Sequence, residues 1–393
     1  MAEHLMKTYQ PLPVSFTHGE GIYLFDANGE RYLDAISGIA VCGLGHAHPA
    51  VSKAICEQSG RLLHTSNLYQ IDLQEQLAEQ LCKVAGMDRA FFSNSGAEAN
   101  EAALKLARLY GHRQGIATPQ VIVTEGSFHG RTLATLTATG NRKIQAGFEP
   151  LMPGFLRAPY DDLKAIRTIA ANSPGVVAVL VEPITGEGGI RIPAADYLSE
   201  LRALCDEHNW LLMLDEIQTG MGRTGRWFAH QHTGIVPDVM TLAKGLGNGV
   251  PIGACLGRGK AAEVFQPGNH GSTFGGNPLA ASAALAVLNT IGGDHLVEHA
   301  DRMGRRLLEG FTRRLGELPG VVAIRGRGLM LGIELDRPCA ELMQSALQRK
   351  LLINVTAGNV VRLLPPLIIS EAQADDIIDG VSDLIANFLD TDA

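Results

Sequence analysis

Residues 210–247 carry the reading that decides the fold. They open with Trp210-Leu-Leu-Met-Leu-Asp215-Glu216-Ile217-Gln218 and close with Pro237-Asp238-Val239-Met240-Thr241-Leu242-Ala243-Lys244-Gly245-Leu246-Gly247. Each half is an apolar run of strand length that stops at an ionisable side chain. Runs without polar alternation suit strands buried on both faces, as in parallel sheets covered by helices. Asp215 and Lys244 lie 29 positions apart, enough for a crossover and a return strand. Ligands of open parallel sheets collect at the carboxyl ends of strands, so both residues fall where a ligand would sit. Plainer readings stand beside this one. Asp215 reads equally as a helix cap, and Lys244 in isolation reads better as a surface lysine with a buried stem.

The same texture extends outward. Ala90–Phe92, Val121–Val123, Val176–Val181 and Ile252–Leu256 are further short apolar runs separated by helical segments. The pattern predicts an α/β fold with a mostly parallel sheet between helices. Residues 22–36 read as a hairpin turning on Asp26-Ala27-Asn28-Gly29, because Asn-Gly favours tight turns. Beyond a helical stretch near 277–292, residues 295–317 read as a helix, 321–335 as paired strands and 371–388 as an amphipathic helix. The expected organisation is an N-terminal segment with hairpin over 1–60, a large ligand-binding domain over 61–292, and a smaller α+β domain over 293–393 that packs with the hairpin.

Composition narrows the function. The chain has 393 residues, more than one core usually covers, and the hydrophobic fraction of 46% with 19% charged residues is that of a globular protein. A formal net charge of −8 gives no support to nucleic-acid binding. No apolar run approaches the roughly 20 residues of a membrane helix, and residues 1–16 lack the basic-then-apolar pattern of a secretory signal. The six cysteines are Cys42, Cys56, Cys82, Cys205, Cys255 and Cys339. Their scatter argues against a disulfide framework or zinc site and for a reducing compartment, so a cytoplasmic location is expected. His46-Ala47-His48-Pro49 lacks the further ligands a metal needs, and no metal is expected. Gly245-Leu-Gly-Asn-Gly249 lacks the Gly-Lys-Ser/Thr of a phosphate-binding loop, and no stretch meets the Gly-x-Gly-x-x-Gly pattern of a nicotinamide-dependent oxidoreductase.

Two more stretches complete a constellation. In Phe91-Phe92-Ser93-Asn94-Ser95-Gly96-Ala97-Glu98 a strand turns through small residues into a helix, whose first N–H groups suit a phosphate. In Gly126-Ser127-Phe128-His129-Gly130-Arg131-Thr132, Phe128 suits stacking on a planar ring and Arg131 suits a carboxylate. A core phenylalanine and a solvated arginine are the plain alternatives.

Order and spacing together resemble the class III, ornithine-type aminotransferases of the fold-type I pyridoxal 5′-phosphate (PLP) enzymes. Leu212 through Asp215-Glu216, Gly220, Gly222-Arg223 and Gly225 to Asp238 and Lys244 is similar to that family's signature. The likeness runs from Gly21 to about Ile385, with support at 37–41, 65–69, 92–99 and 271–278. The resemblance implies that Lys244 holds PLP covalently and shuttles a proton, and that Asp215 pairs with the pyridine nitrogen. It implies Gln218 at the phenolic oxygen, Ser95, Gly96 and Ala97 at the phosphate, and Phe128 on the ring. Thr273 resembles the residue that reaches the phosphate of the partner subunit, so a homodimer with shared sites is expected. For substrate it implies Arg362 at the α-carboxylate of glutamate, Arg131 at the distal carboxylate, Ser272 as a contact, and Glu182 as a gate pairing with Arg362.

The resembling subgroup moves the δ-amino group of N2-acetylornithine to 2-oxoglutarate, with N-succinyl-diaminopimelate as a possible second donor. Donor choices within the class also include 4-aminobutyrate, succinylornithine and ornithine. A non-catalytic PLP-fold binding protein is the alternative of another class, and intact Asp215, Lys244, Arg131 and Arg362 speak against it. Two departures bear on the donor. Ile39 stands where ornithine-specific members carry a tyrosine, which fits an acylated α-amino group. Thr185 stands where glutamine is usual.

Overall fold

The computed structural model describes residues 4–390. Its centre is a seven-stranded sheet. In spatial order the strands are Arg89–Ser93, Gly253–Gly257, Val239–Leu242, Leu211–Asp215, Val176–Val181, Gln120–Thr124 and Phe155–Ala158. Gly253–Gly257 runs antiparallel to both neighbours, and every other pairing is parallel. The expected mostly parallel sheet is therefore present, and each of the six apolar runs forms a strand of it. Phe155–Ala158 is an addition at the edge. All of Val176–Val181 and Leu211–Asp215 is buried, which is why these segments show no alternation.

Helices cover both faces. Gly96–Arg113 packs on the strands Val239–Leu242 and Gly253–Gly257. Pro278–Gly293 is apolar nearly all round and lies against the helices Pro49–Ser59 and Asp72–Ala85. Pro278 opens that helix where its missing N–H costs nothing, and the Asn277 side chain accepts from the N–H of Ala280.

Two smaller sheets flank the centre. The 23–34 hairpin forms as expected, with Phe16–Glu20 added on one side and Leu351–Leu352 on the other. Leu351–Leu352 runs parallel to Arg31–Asp34, so the N-terminal hairpin and the C-terminal part of the chain share a sheet. The second sheet has the order Val321–Arg327, Met330–Leu335, Val360–Leu363, Asn354–Thr356 and is wholly antiparallel. Helices Leu296–Leu315 and Glu371–Asp390 pack against each other beside it.

This topology positions the site. Ser93, Thr124, Val181, Asp215 and Leu242 end strands that all run in one direction. The loops that follow converge on one edge of the sheet, and Arg362 approaches it from the antiparallel sheet. Among the described residues no helix is long and apolar enough to cross a membrane.

Candidate active site

A cavity of about 400 Å³ opens at that edge. Asn94–Ala97, Phe128–Arg131, Glu182, Glu187, Asp215, Gln218 and Lys244 are among its lining. Ten of the twelve residues singled out from sequence meet at or beside it. Ser272 and Thr273 do not, for they border a separate groove with Phe91, Asn94, Glu98 and His270.

Asp215 closes its strand with 4% exposure and a full set of donors. Its Oδ2 accepts from Asn100 Nδ2 and from His129 Nδ1, both at 2.8 Å, and its Oδ1 accepts from the Ile217 N–H at 3.1 Å. Asn100 is itself fixed, donating to the His129 carbonyl and accepting from the Thr241 hydroxyl at 2.7 Å. The carboxylate is thus held in one orientation by a buried network. Asn100 and His129 escaped the sequence reading. His129 adjoined a chosen residue, whereas Asn100 looked like any polar residue in the first turns of a helix.

Lys244 follows the strand Val239–Leu242 and takes a left-handed backbone, with φ of +45°. Such strain in a non-glycine residue is found where the surroundings dictate an orientation. Burial lowers the amine's pKa to about 8, with the Arg362 charge acting in the same direction and the nearby carboxylates against it. Roughly a tenth of the amine is therefore neutral at pH 7, far more than for an ordinary lysine, as a nucleophilic lysine needs.

The helix Gly96–Arg113 presents its first turn to the cavity. Ser95 caps it by accepting from the Glu98 N–H, and the Glu98 carboxylate accepts from the Asn94 N–H at 2.6 Å. A Cβ on Gly96 would lie 2.7 Å from the end of the Ile217 side chain, so glycine lets this turn approach the loop after Asp215 without displacing that side chain. Phe128 also lines the cavity, with the Arg131 guanidinium 5.7 Å from its ring centre.

Arg362 is fully buried and heavily bonded. It contacts Glu187 at 2.6 Å, Asn354 Oδ1 at 2.7 Å and Gln218 Oε1 at 3.3 Å. In this structure the carboxylate that meets Arg362 is Glu187, not the Glu182 expected from the sequence. Both oxygens of Glu182 are occupied close to home, accepting from the N–H of Gly186 at 3.0 Å and of Phe128 at 3.1 Å. Burial raises the Glu182 pKa to about 7, with His129 opposing and the Asp215 charge adding to the rise. Glu182 braces two loops, and the turn it holds carries Glu187 across to Arg362. Thr185 belongs to that turn, its hydroxyl accepting from the Arg191 N–H. Ile39 packs in a small apolar cluster with Ala40, Ile184, Ile190, Met330 and Leu364, while Val41, two residues further on, lines the cavity.

Glu216, beside Asp215, does structural work. It is buried and accepts from Thr219, Ala229 and His230, fixing the loop that leads to the next strand.

The residues present fit PLP. A lysine amine, a clamped carboxylate, a helix start opened by Gly96 and an aromatic wall surround one cavity. These are the groups that an aldehyde, a pyridine nitrogen, a phosphate and a flat ring respectively require. Among the described residues no cluster of three potential metal ligands exists.

Comparison with known proteins agrees with this geometry. The family model described as aminotransferase class-III matches residues 5–385. An acetylornithine aminotransferase of Nitrosomonas europaea is 60% identical over 388 residues, spanning 99% of both chains. An acetylornithine aminotransferase 1 of Bordetella bronchiseptica is 54% identical over 99% of both. Among solved structures, the ornithine aminotransferase of Toxoplasma gondii superposes with a TM-score of 0.95 at 35% identity, covering 99% of this chain and 94% of that one. The N-acetylornithine aminotransferase of Stenotrophomonas maltophilia gives 0.85 at 37% identity, covering 97% and 98%. A chain matched by one family model from residue 5 to residue 385, with such relatives along its whole length, belongs to the class III aminotransferases, the fold-type I enzymes that work with PLP.

Proposed function

We propose that this aminotransferase moves the δ-amino group of N2-acetylornithine to 2-oxoglutarate, giving N-acetylglutamate 5-semialdehyde and glutamate. The observation that carries the donor assignment is full-length identity of 44–60% to a run of acetylornithine aminotransferases. PLP, when bound, supplies the electron sink that makes the carbon beside the nitrogen acidic. The chain supplies the rest. Gly96 and Ala97 N–H groups hold the phosphate at the helix start, with Ser95 shaping that turn. Asp215 would pair with the ring nitrogen, Gln218 with the phenolic oxygen, and Phe128 would pack on the ring. Lys244 Nζ would anchor the cofactor, and its amine is the group that would move the proton of the reacting carbon.

Two unlike substrates must use one pocket. Glutamate brings an α-carboxylate beside the reacting amine and acetylornithine brings only a CH₂ there. Arg362 serves the first and is neutralised by Glu187 for the second, while Arg131 holds the distal carboxylate of both. Ser272 and Thr273 lie outside the cavity of their own chain, which supports a homodimer in which they serve the partner's site. We place the enzyme in the cytoplasm.

The test is an amino-donor panel with 2-oxoglutarate, read as kcat/KM. Acetylornithine is expected to exceed ornithine and 4-aminobutyrate by at least about tenfold, roughly 1.4 kcal/mol of transition-state binding. A faster reaction with ornithine or 4-aminobutyrate would overturn the donor assignment, and N-succinyl-diaminopimelate in the same panel measures breadth.

A further inference from the structure

The antiparallel sheet holds the loop that carries Glu187 at more places than the pair with Arg362. One row of that sheet runs in register through Arg325, Gly332, Arg362 and Asn354, and residues paired in register share a face. Two arginines therefore stand on one face with a glycine between them. The loop sits over that glycine. A Cβ on Gly332 would lie 3.0 Å from Ile190 Cβ, so the missing side chain leaves room for Ile190, which is fully buried.

On one side of Gly332, Arg362 takes the Glu187 carboxylate at 2.6 Å. On the other, Arg325 takes the loop backbone. Its Nε donates to the carbonyls of Gly189 at 3.2 Å and Ile190 at 2.9 Å, and its Nη2 donates to Gly189 at 2.6 Å. Its Nη1 donates to Glu334 Oε2 at 2.6 Å, which fixes the plane of the guanidinium. The Thr356 hydroxyl donates to the Glu187 carbonyl, also at 2.6 Å. The backbone so held is left-handed at two successive residues, with φ of +96° at Gly189 and +52° at Ile190. A β-branched residue stays in that region only where its surroundings impose it. Neither Arg325 nor Thr356 lines the catalytic cavity, and the transamination roles leave both unused.

Given the reading of Glu187 as the exchangeable partner of Arg362, on which this rests, we propose that Arg325 and Thr356 are positioning residues that set donor specificity. They clamp the loop to the sheet that carries Arg362. The Glu187 carboxylate is thereby presented to Arg362 whenever the donor has no carboxylate beside its reacting amine. Glu182 holds the other end of the turn through the Gly186 N–H, so Glu187 lies between two fixed points. Its side chain, 38% exposed, is the part free to move. Glutamate then displaces a side chain and leaves the loop in place. Arg325 matters only while Glu187 is in use. Lysine is no substitute, because it keeps the charge and lacks the planar fork that meets two carbonyls at once.

Holoenzymes of the wild type, Arg325→Lys, Glu187→Gln and the double variant are compared by single-turnover absorbance of the bound cofactor, with acetylornithine and with glutamate. Arg325→Lys is expected to slow the acetylornithine half-reaction at least about fivefold, the scale of one or two lost hydrogen bonds, and the glutamate half-reaction less than about twofold. In the Glu187→Gln background the same change is expected to cost less than about twofold with acetylornithine, because the carboxylate it positions is gone. Equal slowing of both half-reactions, slowing of neither, or two effects that multiply in the double variant overturns the role of Arg325. Glu187→Gln alone separates the two levels. If it slows acetylornithine selectively, a failure of Arg325→Lys strikes the clamp and leaves the gate standing. If it does not, the gate falls and the clamp with it. Should Arg325→Lys fail to fold, Thr356→Val removes the hydroxyl at nearly constant shape. It is expected to slow acetylornithine at least about threefold and glutamate less than about twofold, and equal slowing of both refutes the clamp.

Discussion

Replacing Glu187 by glutamine isolates the charge that lets one pocket serve two substrates. In the folded chain Arg362 is 1% exposed and meets Glu187 at 2.6 Å. Removing one partner of a fully buried pair costs about 3–5 kcal/mol. Two features reduce that figure. The Glu187 side chain is 38% exposed, so solvent screens its end of the pair, and Asn354 and Gln218 remain as acceptors for Arg362. A loss of about 1.5–3 kcal/mol is left, which is roughly 10- to 150-fold in rate. It falls on the half-reaction in which Arg362 has no substrate carboxylate to bind, that of acetylornithine. In the glutamate half-reaction the substrate replaces Glu187, so the variant should react at the wild-type rate or faster. Single-turnover absorbance of the bound cofactor measures each half-reaction separately. An equal fall in both, or no fall with acetylornithine, would refute the assignment of Glu187 as the partner of Arg362. The matching variant Glu182→Gln should slow both half-reactions together, because Glu182 braces the loops of Phe128 and Gly186.

Lys244→Ala should abolish turnover without unfolding the chain, and borohydride reduction of the holoenzyme should tag Lys244; a tag on another lysine would move the anchor. With its pKa lowered to about 8 by burial, the Lys244 amine of the cofactor-free chain is mostly protonated below pH 8 and neutral above. Its reaction with added PLP should therefore quicken from pH 6 to 8 and level off beyond, whereas a rise continuing to pH 10 would contradict the lowered value. Asp215→Asn should retain PLP but lose at least about 2 kcal/mol of barrier stabilisation, some 30-fold in kcat/KM, and a loss below tenfold would remove it from the ring nitrogen. Sedimentation should find at least a dimer, and an active monomer at assay concentration would defeat the shared-site reading of Thr273.

What the sequence shows and what it hides divide along a physical line. Asp215 and Lys244 were legible because each ends an apolar run, and the periodicity that predicts a buried strand also places its last residue at the edge of the sheet. Phe155–Ala158 was missed because it is a four-residue edge strand, paired on one side only and carrying Arg157, so it lacks the continuous apolar signal of its neighbours. The strands Leu351–Leu352 and Asn354–Thr356 are too short to show a period at all. The partner of Arg362 poses a different problem, since it lies 175 positions away in sequence and two carboxylates compete for it. Local chemistry decides between them. A residue directly after a buried strand lies among the N–H groups of the adjoining loops, and Glu182 gives both oxygens to them. Glu187 stands in Gly186-Glu187-Gly188-Gly189, where neighbours without side chains leave its carboxylate free to reach across to the antiparallel sheet. The carboxylate to choose for a distant cation is therefore the one whose own backbone surroundings leave its lone pairs unclaimed.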